Sequence, residues 1–305
     1  MRRNFSASIL IGILLVTACV LTPVTTPTYG VTPMDTPVAT AEISTPTPEP
    51  PATETPSPTL PVGFFPIIAG DAVNPDAAIL LGGTEGGAWI DAETAASRLN
   101  GGEVYNLYSP AGPVGTTIGS KPARGRICPQ YSLQWNPAPT AENVIGLGGN
   151  WNALPRLPED LSTGDESYRA VAADWWAAQG WPGADVRLTR ILRVDMDGNG
   201  TPEVLIAATR MSEVTGHDVA AGDYSAVFLH KETAPQTLRL VGDYYPAAKA
   251  LAFPITYSLT SVLDLNGDGK MEVVVGVRRW EGGGTLIYAF DGTAVLEVFD
   301  TVCAL

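Results

Sequence analysis

From Val186 onward, short apolar runs recur with the period of strands, separated by clusters of turn-forming residues. Arg187 to Val194, Glu203 to Thr209, Ser225 to His230 and Thr237 to Val241 read as four strands, because β-branched and aromatic residues cluster between Gly, Asn, Asp and Pro groups. The same order then returns in Tyr257 to Leu263, Glu272 to Arg278, Thr285 to Phe290 and Val295 to Phe299. Residues 187–246 and 255–303 are thus two copies of one unit, each with an acidic loop between its first and second strands. Four short strands in that order predict a meander or the blade of a propeller.

Upstream the pattern is less regular. Ala78 to Leu81, Val104 to Tyr108, Tyr131 to Trp135 and Val144 to Leu147 read as strands among Gly-rich turns, and Ala92 to Leu99 as a short helix stopped by Asn100-Gly101-Gly102. Asp165 to Gln179 is the clearest helix. Tyr168, Val171, Trp175 and Ala178 recur at helical spacing, Thr163 to Glu166 has the form of a capping box, and Gly180 follows. Trp175, Trp176 and Trp181 read as aromatic packing along this helix, with a sugar-stacking platform as the alternative. The predicted fold over residues 63–305 is mainly β: two four-stranded blade-like units in the C-terminal part, and a mixed, β-rich N-terminal part with one or two helices.

The first sixty residues belong to no core. Met1-Arg2-Arg3-Asn4 is a basic start, Ile9 to Val16 is an apolar run, and Val16-Thr17-Ala18-Cys19 follows. This is the form of an export signal. The Val-Thr-Ala-Cys run resembles a bacterial lipobox, which makes residues 1–19 a lipoprotein signal peptide and Cys19 the lipid anchor. The alternative is an uncleaved membrane helix from Phe5 to Val24; either way the rest of the chain lies outside the cytoplasm. Residues 20–62 read as a disordered tether, since Leu21 to Pro61 holds 12 Thr and 11 Pro with no Lys or Arg. Such a segment cannot form a core and favours extended polyproline geometry, reaching at most roughly 125 Å.

Charge narrows the partners. The chain carries a formal net charge of −14, which opposes nucleic acid and anionic lipid and suits a protein that takes up divalent cations. Cysteine adds one constraint. With Cys19 lipidated, Cys128 and Cys303 remain, an even number in an oxidising compartment. A bridge between them would clasp the last strand to the N-terminal half, stabilising by at most about 5 kcal/mol through chain entropy; two buried free thiols are the alternative.

The acidic loops carry the chemistry. In DMDGNGTPEVLI, which starts at Asp195, oxygen-bearing side chains fall at positions one, three, five and nine: Asp195, Asp197, Asn199 and Glu203. DLNGDGKMEVVV supplies Asp264, Asn266, Asp268 and Glu272 at the same places, and both loops have Gly at positions four and six. Calcium takes six to eight hard oxygens in a tolerant geometry, and a tight loop turns alternate side chains inward to provide them. The Gly at six permits the turn that offers the carbonyl of position seven, Thr201 or Lys270. Position twelve, where an EF-hand needs a bidentate acid, holds Ile206 and Val275. The loop therefore belongs to a β-hairpin. Solvated acidic turns without metal are the alternative.

The pattern D-x-[DN]-x-[DN]-G-x-x-[DE] ahead of an apolar strand resembles the calcium loops of FG-GAP or VCBS-type repeats, the blades of integrin α-chain-like propellers. The resemblance covers Arg187 to Cys303, and it implies metal-ligand roles for Asp195, Asp197, Asn199, Glu203, Asp264, Asn266, Asp268 and Glu272. It also implies that the ion stiffens the link between the first two strands of each blade. The Phe-Gly and Gly-Ala-Pro signatures that flank such loops in the family are missing here.

Catalytic patterns are sparse. His217 and His230 are the only histidines, there is no HExxH or GxSxG spacing, and Gly115 to Lys121 lacks the Gly-Lys-Ser/Thr of a phosphate loop. Glu213, His217, Asp218 and Asp223 gather in one connector, which reads as a solvated loop with a third metal or ligand site as the alternative. The sequence predicts a tethered, calcium-binding surface module that binds a protein or carbohydrate ligand. A polysaccharide-active enzyme or its accessory module, and a structural envelope protein, are the rival readings.

Overall fold

The computed structural model describes residues 60–70, 77–211, 217–233 and 236–304. Cys19, the signal segment, the tether as far as residue 59 and Glu213 lie outside the described residues. Among the described residues no helix is long and apolar enough to cross a membrane.

The N-terminal part contains β1 (Phe64–Gly70), β2 (Ala77–Glu85), β3 (Ala88–Asp91), α1 (Ala92–Arg98), β4 (Val104–Ser109), β5 (Gly112–Gly119), β6 (Ala123–Arg124), β7 (Tyr131–Asn136) and β8 (Ile145–Leu147). The strands are ordered β3-β2-β1-β8-β4-β5-β7-β6, and β2 also pairs with β7. That extra pairing closes β1, β8, β4, β5, β7 and β2 into a six-stranded ring, which removes the exposed strand edges an open sheet would leave. Alternate side chains divide between the two faces, as the pleat requires. Ile68, Leu80, Tyr105, Leu107, Leu133 and Trp135 share one buried cluster with Ala95, Ala96 and Leu99 of α1 and its end, whereas Ile67, Ala69, Leu81, Ile145 and Leu147 belong to another. The helix thus plugs the ring, and the outer face is left to meet the next layer.

After β9 (Glu159–Leu161) and α2 (Glu166–Ala178), the first repeat forms β10 (Leu188–Val194), β11 (Glu203–Arg210), β12 (Asp223–Lys231) and β13 (Gln236–Tyr245). The second forms β14 (Thr256–Leu263), β15 (Glu272–Arg279), β16 (Gly282–Phe290) and β17 (Val295–Asp300), followed by β18 (Cys303–Ala304). Each repeat is an antiparallel meander, and each gains a fifth short strand that the sequence pattern does not mark: β9 beside β10, and β18 beside β16.

The meanders stack face to face. Leu192, Leu205, Val227 and Leu229 of the first meet Leu259, Val273, Val275 and Leu286 of the second in one cluster. The far side of the second meander, with Leu263, Val274, Ile287 and Phe299, packs on the outer face of the barrel. The far side of the first, with Ile191, Val204, Ile206 and Phe228, is covered by α2. Two-sided burial is why β11, β12 and β15 read as unbroken apolar runs rather than alternating ones. The order is helix, meander, meander, plugged barrel. The two blade-like units are present, and the third β layer is a closed ring rather than a further blade.

The helix α2 starts two residues later than the capping-box reading implies. Its N-cap is Asp165, whose Oδ1 accepts from the Ser167 amide at 2.8 Å, and not Thr163. Asp fills the same role as Thr at an N-cap, so the competing signal lay two residues away. Trp175 and Trp176 are buried in the cluster with Tyr224 and Phe228, and half-buried Trp181 stacks on Tyr244 at 3.9 Å. These three indoles are core packing. Cys128 and Cys303 form a disulfide with Cα atoms 5.8 Å apart, joining the β6–β7 connection to β18.

Candidate metal centre

The acidic loops are the β10–β11 and β14–β15 turns, at the same end of adjacent meanders. Each is anchored by an apolar side chain at position two, Met196 or Leu265, both fully buried. Around that anchor the two loops repeat one hydrogen-bond plan. The position-one carboxylate accepts from the amides at four and six: Asp195 from Gly198 at 2.8 Å and Gly200 at 2.9 Å, Asp264 from Gly267 at 2.7 Å and Gly269 at 2.9 Å. The position-nine carboxylate accepts from the amide at two, Glu203 from Met196 at 3.0 Å and Glu272 from Leu265 at 2.7 Å. Position three accepts from the amide at five, in Asp197 and Asn266, and position five accepts from the amide at seven, in Asn199 and Asp268. This winding needs a left-handed backbone at four and six. Gly198 and Gly200 have φ of 77° and 85°, and Gly267 and Gly269 have 75° and 82°, a region that L side chains rarely adopt.

In the first loop, carboxylate oxygens of Asp195, Asp197 and Glu203 all lie within 4.8 Å of one another. Asn199 turns its Nδ2 onto Asp197 Oδ2 at 2.9 Å. The β16–β17 turn closes over this loop so tightly that a Cβ on Gly292 would stand 2.8 Å from Asp197 Oδ2. Among the described residues the second loop has no equivalent carboxylate trio. Position three is the amide Asn266 there, and the third acid, Asp268, sits at five. The two predicted sites therefore differ in charge arrangement while sharing a backbone.

Burial makes these charges costly. Glu203 and Glu272 are 2 % exposed and Asp264 is 3 % exposed. Among the described residues no Lys or Arg forms an ion pair with any loop carboxylate. Burial, followed by repulsion from Asp197 and Asp195, raises the Glu203 pKa against the Met196 hydrogen bond that lowers it. Burial pushes Asp264 up to about 6 and Glu272 well above the carboxylate range. Lys231 opposes the rise at Glu203 without forming an ion pair with it, and the hard oxygens and crowded negative charge fit a divalent cation. Thr201 and Lys270 sit where a position-seven carbonyl would ligate, and the amide of each is tied to its own loop.

Among the described residues of the connector read from the sequence as a solvated loop, His217, Asp218 and Asp223 make separate contacts. Asp223 is buried, pairs with Arg210 at 3.3 Å and accepts from the Ala220 amide. Asp218 instead accepts from the Leu251 amide at 2.9 Å. His217 lies against Phe253 and Trp280, and His230 meets Thr237 Oγ1 at 3.1 Å. Between the barrel and the second meander a cavity of about 390 Å³ is lined by Leu81, Trp89, Asp91, Phe299, Asp300 and Thr301 among others. Its Asp91 is the N-cap of α1, and hydrogen bonds from Thr94 hold it below the usual carboxylate range, the reverse of what a general acid requires. Asp300 accepts from the Val302 amide.

Sequence reasoning missed the segment behind the loops. Trp151 Nε1 donates to the Asp264 carbonyl, and Arg156 reaches backbone carbonyls of both loops. A lone Trp and Arg in a Pro-containing connector carry no spacing signal. No family model matches the chain, and no curated protein or solved structure matches it.

Proposed function

We propose that the protein is an extracytoplasmic, membrane-tethered calcium-binding repeat module that binds a ligand or mediates adhesion at the cell surface, with calcium structural. The observation that carries this is the shared hydrogen-bond plan of the two loops, with three deeply buried carboxylates that form no ion pair among the described residues. In the first loop Asp195, Asp197 and Glu203 are the anionic ligands, and in the second Asp264, Asp268 and Glu272. The spacing is that of FG-GAP or VCBS-type loops, and Cys19 is the anchor. The cation offsets carboxylate repulsion and stiffens the β10–β11 and β14–β15 hairpins.

A binding role draws support from the opposite end of the meanders. There the β13–β14 and β15–β16 connections present Leu251, Phe253 and Trp280, which are 62 %, 52 % and 52 % exposed. His217 lies 5.7 Å from the Phe253 ring and 5.1 Å from Trp280. Leu251 and Phe253 adopt φ of 53° and 50°, which costs backbone energy for non-glycine residues. Exposed apolar clusters of this kind mark contact surfaces.

With extracellular-type affinities of about 0.1 to 1 mM, millimolar calcium stabilises by roughly 0.4 to 1.4 kcal/mol per site. Adding 1 mM CaCl2 to EDTA-treated protein is expected to raise Tm by roughly 2 to 10 °C, and equimolar MgCl2 by less. A Tm indifferent to both EDTA and CaCl2 rejects the reading.

A further inference from the structure

The segment Trp151–Arg156 runs behind both acidic loops and fixes the same backbone group in each. Trp151 Nε1 donates to the Asp264 carbonyl at 2.8 Å, while the Asp264 amide donates to the Ala153 carbonyl at 2.8 Å. Further along, Arg156 Nε donates to the Asp195 carbonyl. Arg156 Nη2 donates to Met196 of the first loop at 3.0 Å and to Gly269 of the second at 2.6 Å. One direct bond, from the Met271 amide to the Met196 carbonyl at 2.9 Å, completes the link. Position one of both loops is thus held by one short strap, and a single guanidinium spans the two. Among the described residues Arg156 forms no ion pair, so its donors serve the loop carbonyls.

We propose that this strap makes the two loops one cooperative calcium unit, with Arg156 the positioning residue that carries the coupling. The proposal rests on the calcium reading above. An ion that gathers the carboxylates of one loop fixes that loop's backbone, and with it the strap. The second ion then meets a loop whose position-one carbonyl is already held, so less conformational entropy is lost on binding. Such coupling is reciprocal: each site raises the affinity of the other by the same factor. A planar guanidinium reaches three carbonyls in a fixed fork, which an ammonium does not reproduce. Repulsion between the two ions is the opposing effect, and the experiment decides between them.

The test is calorimetric titration of the full chain with CaCl2. Asp264→Asn leaves only the first loop competent, and Asp195→Asn leaves only the second. Cooperative loops require that both variants need more calcium for half-saturation than wild type, by about twofold or more, because a coupling factor of about five moves the shared midpoint by its square root. Independent loops require that at least one variant binds as tightly as wild type, and that result, or tighter binding in either variant, overturns the proposal. With Arg156→Gln in the background, removing one loop is expected to leave half-saturation at the other unchanged. A merely supporting role for Arg156 would lower Tm in EDTA and leave the coupling in place. Should Arg156→Gln fail to fold, Trp151→Phe, which removes the indole donor together with part of the ring, replaces it. A wild-type chain that takes up no calcium fails the underlying reading itself, a result distinct from uptake at two uncoupled sites.

Discussion

At the level of single residues, the loop carboxylates matter through where they sit. Glu203 is buried, accepts the Met196 amide, and shares its surroundings with Asp195 and Asp197. Glu203→Gln keeps an acceptor for that amide and removes one of three crowded charges. In EDTA the variant is expected to melt at or above the wild-type temperature, while its calcium response at the first loop is lost; calorimetry with and without CaCl2 measures both. The pH dependence has a defined sign. Asp264 holds its proton to about pH 6 in the metal-free fold, above its ordinary value of 3.8, and burial shifts Glu203 and Glu272 in the same direction. The folded state then binds more protons than the unfolded chain between these values, so stability falls as pH rises through that window. Calcium-stripped protein should melt higher at pH 5 than at pH 7. Saturating calcium favours the ionised carboxylates and should flatten the difference.

At the level of elements, legibility followed length and two-sided burial. The eight long strands of the meanders announced themselves as apolar runs, and the loops as spaced oxygens, because both patterns are local. Strands of two or three residues, such as β6, β9 and β18, carry no period to read. The strand β1 holds Pro66, and β5 holds Gly112, Pro113, Gly115 and Gly119, residues that signal turns in sequence and were accommodated here by ring closure. The pairing of β2 with β7 joins distant segments, and nothing local specifies it. The helix α2 was legible, and its indoles resolve as packing: Trp176 touches Trp181, Tyr224 and Tyr244. Trp176→Ala is expected to cost about 3 to 5 kcal/mol of unfolding free energy in urea, with calcium affinity at the loops little changed because α2 covers the other face of the first meander.

At the level of the whole molecule, stability is distributed over stacked layers that share faces in sequence order only in part. The barrel, first along the chain, packs on one face of the second meander, while the first meander packs on the other. The disulfide ties this arrangement across a sequence separation of 175 residues. Replacing Cys128 and Cys303 together with Ser is expected to lower stability by up to about 5 kcal/mol, read as an earlier urea midpoint. The bond has another consequence. A protease that cuts any connection between residues 128 and 303 makes a nick without releasing a fragment, so the protein would migrate at full length on a gel until a reductant is added.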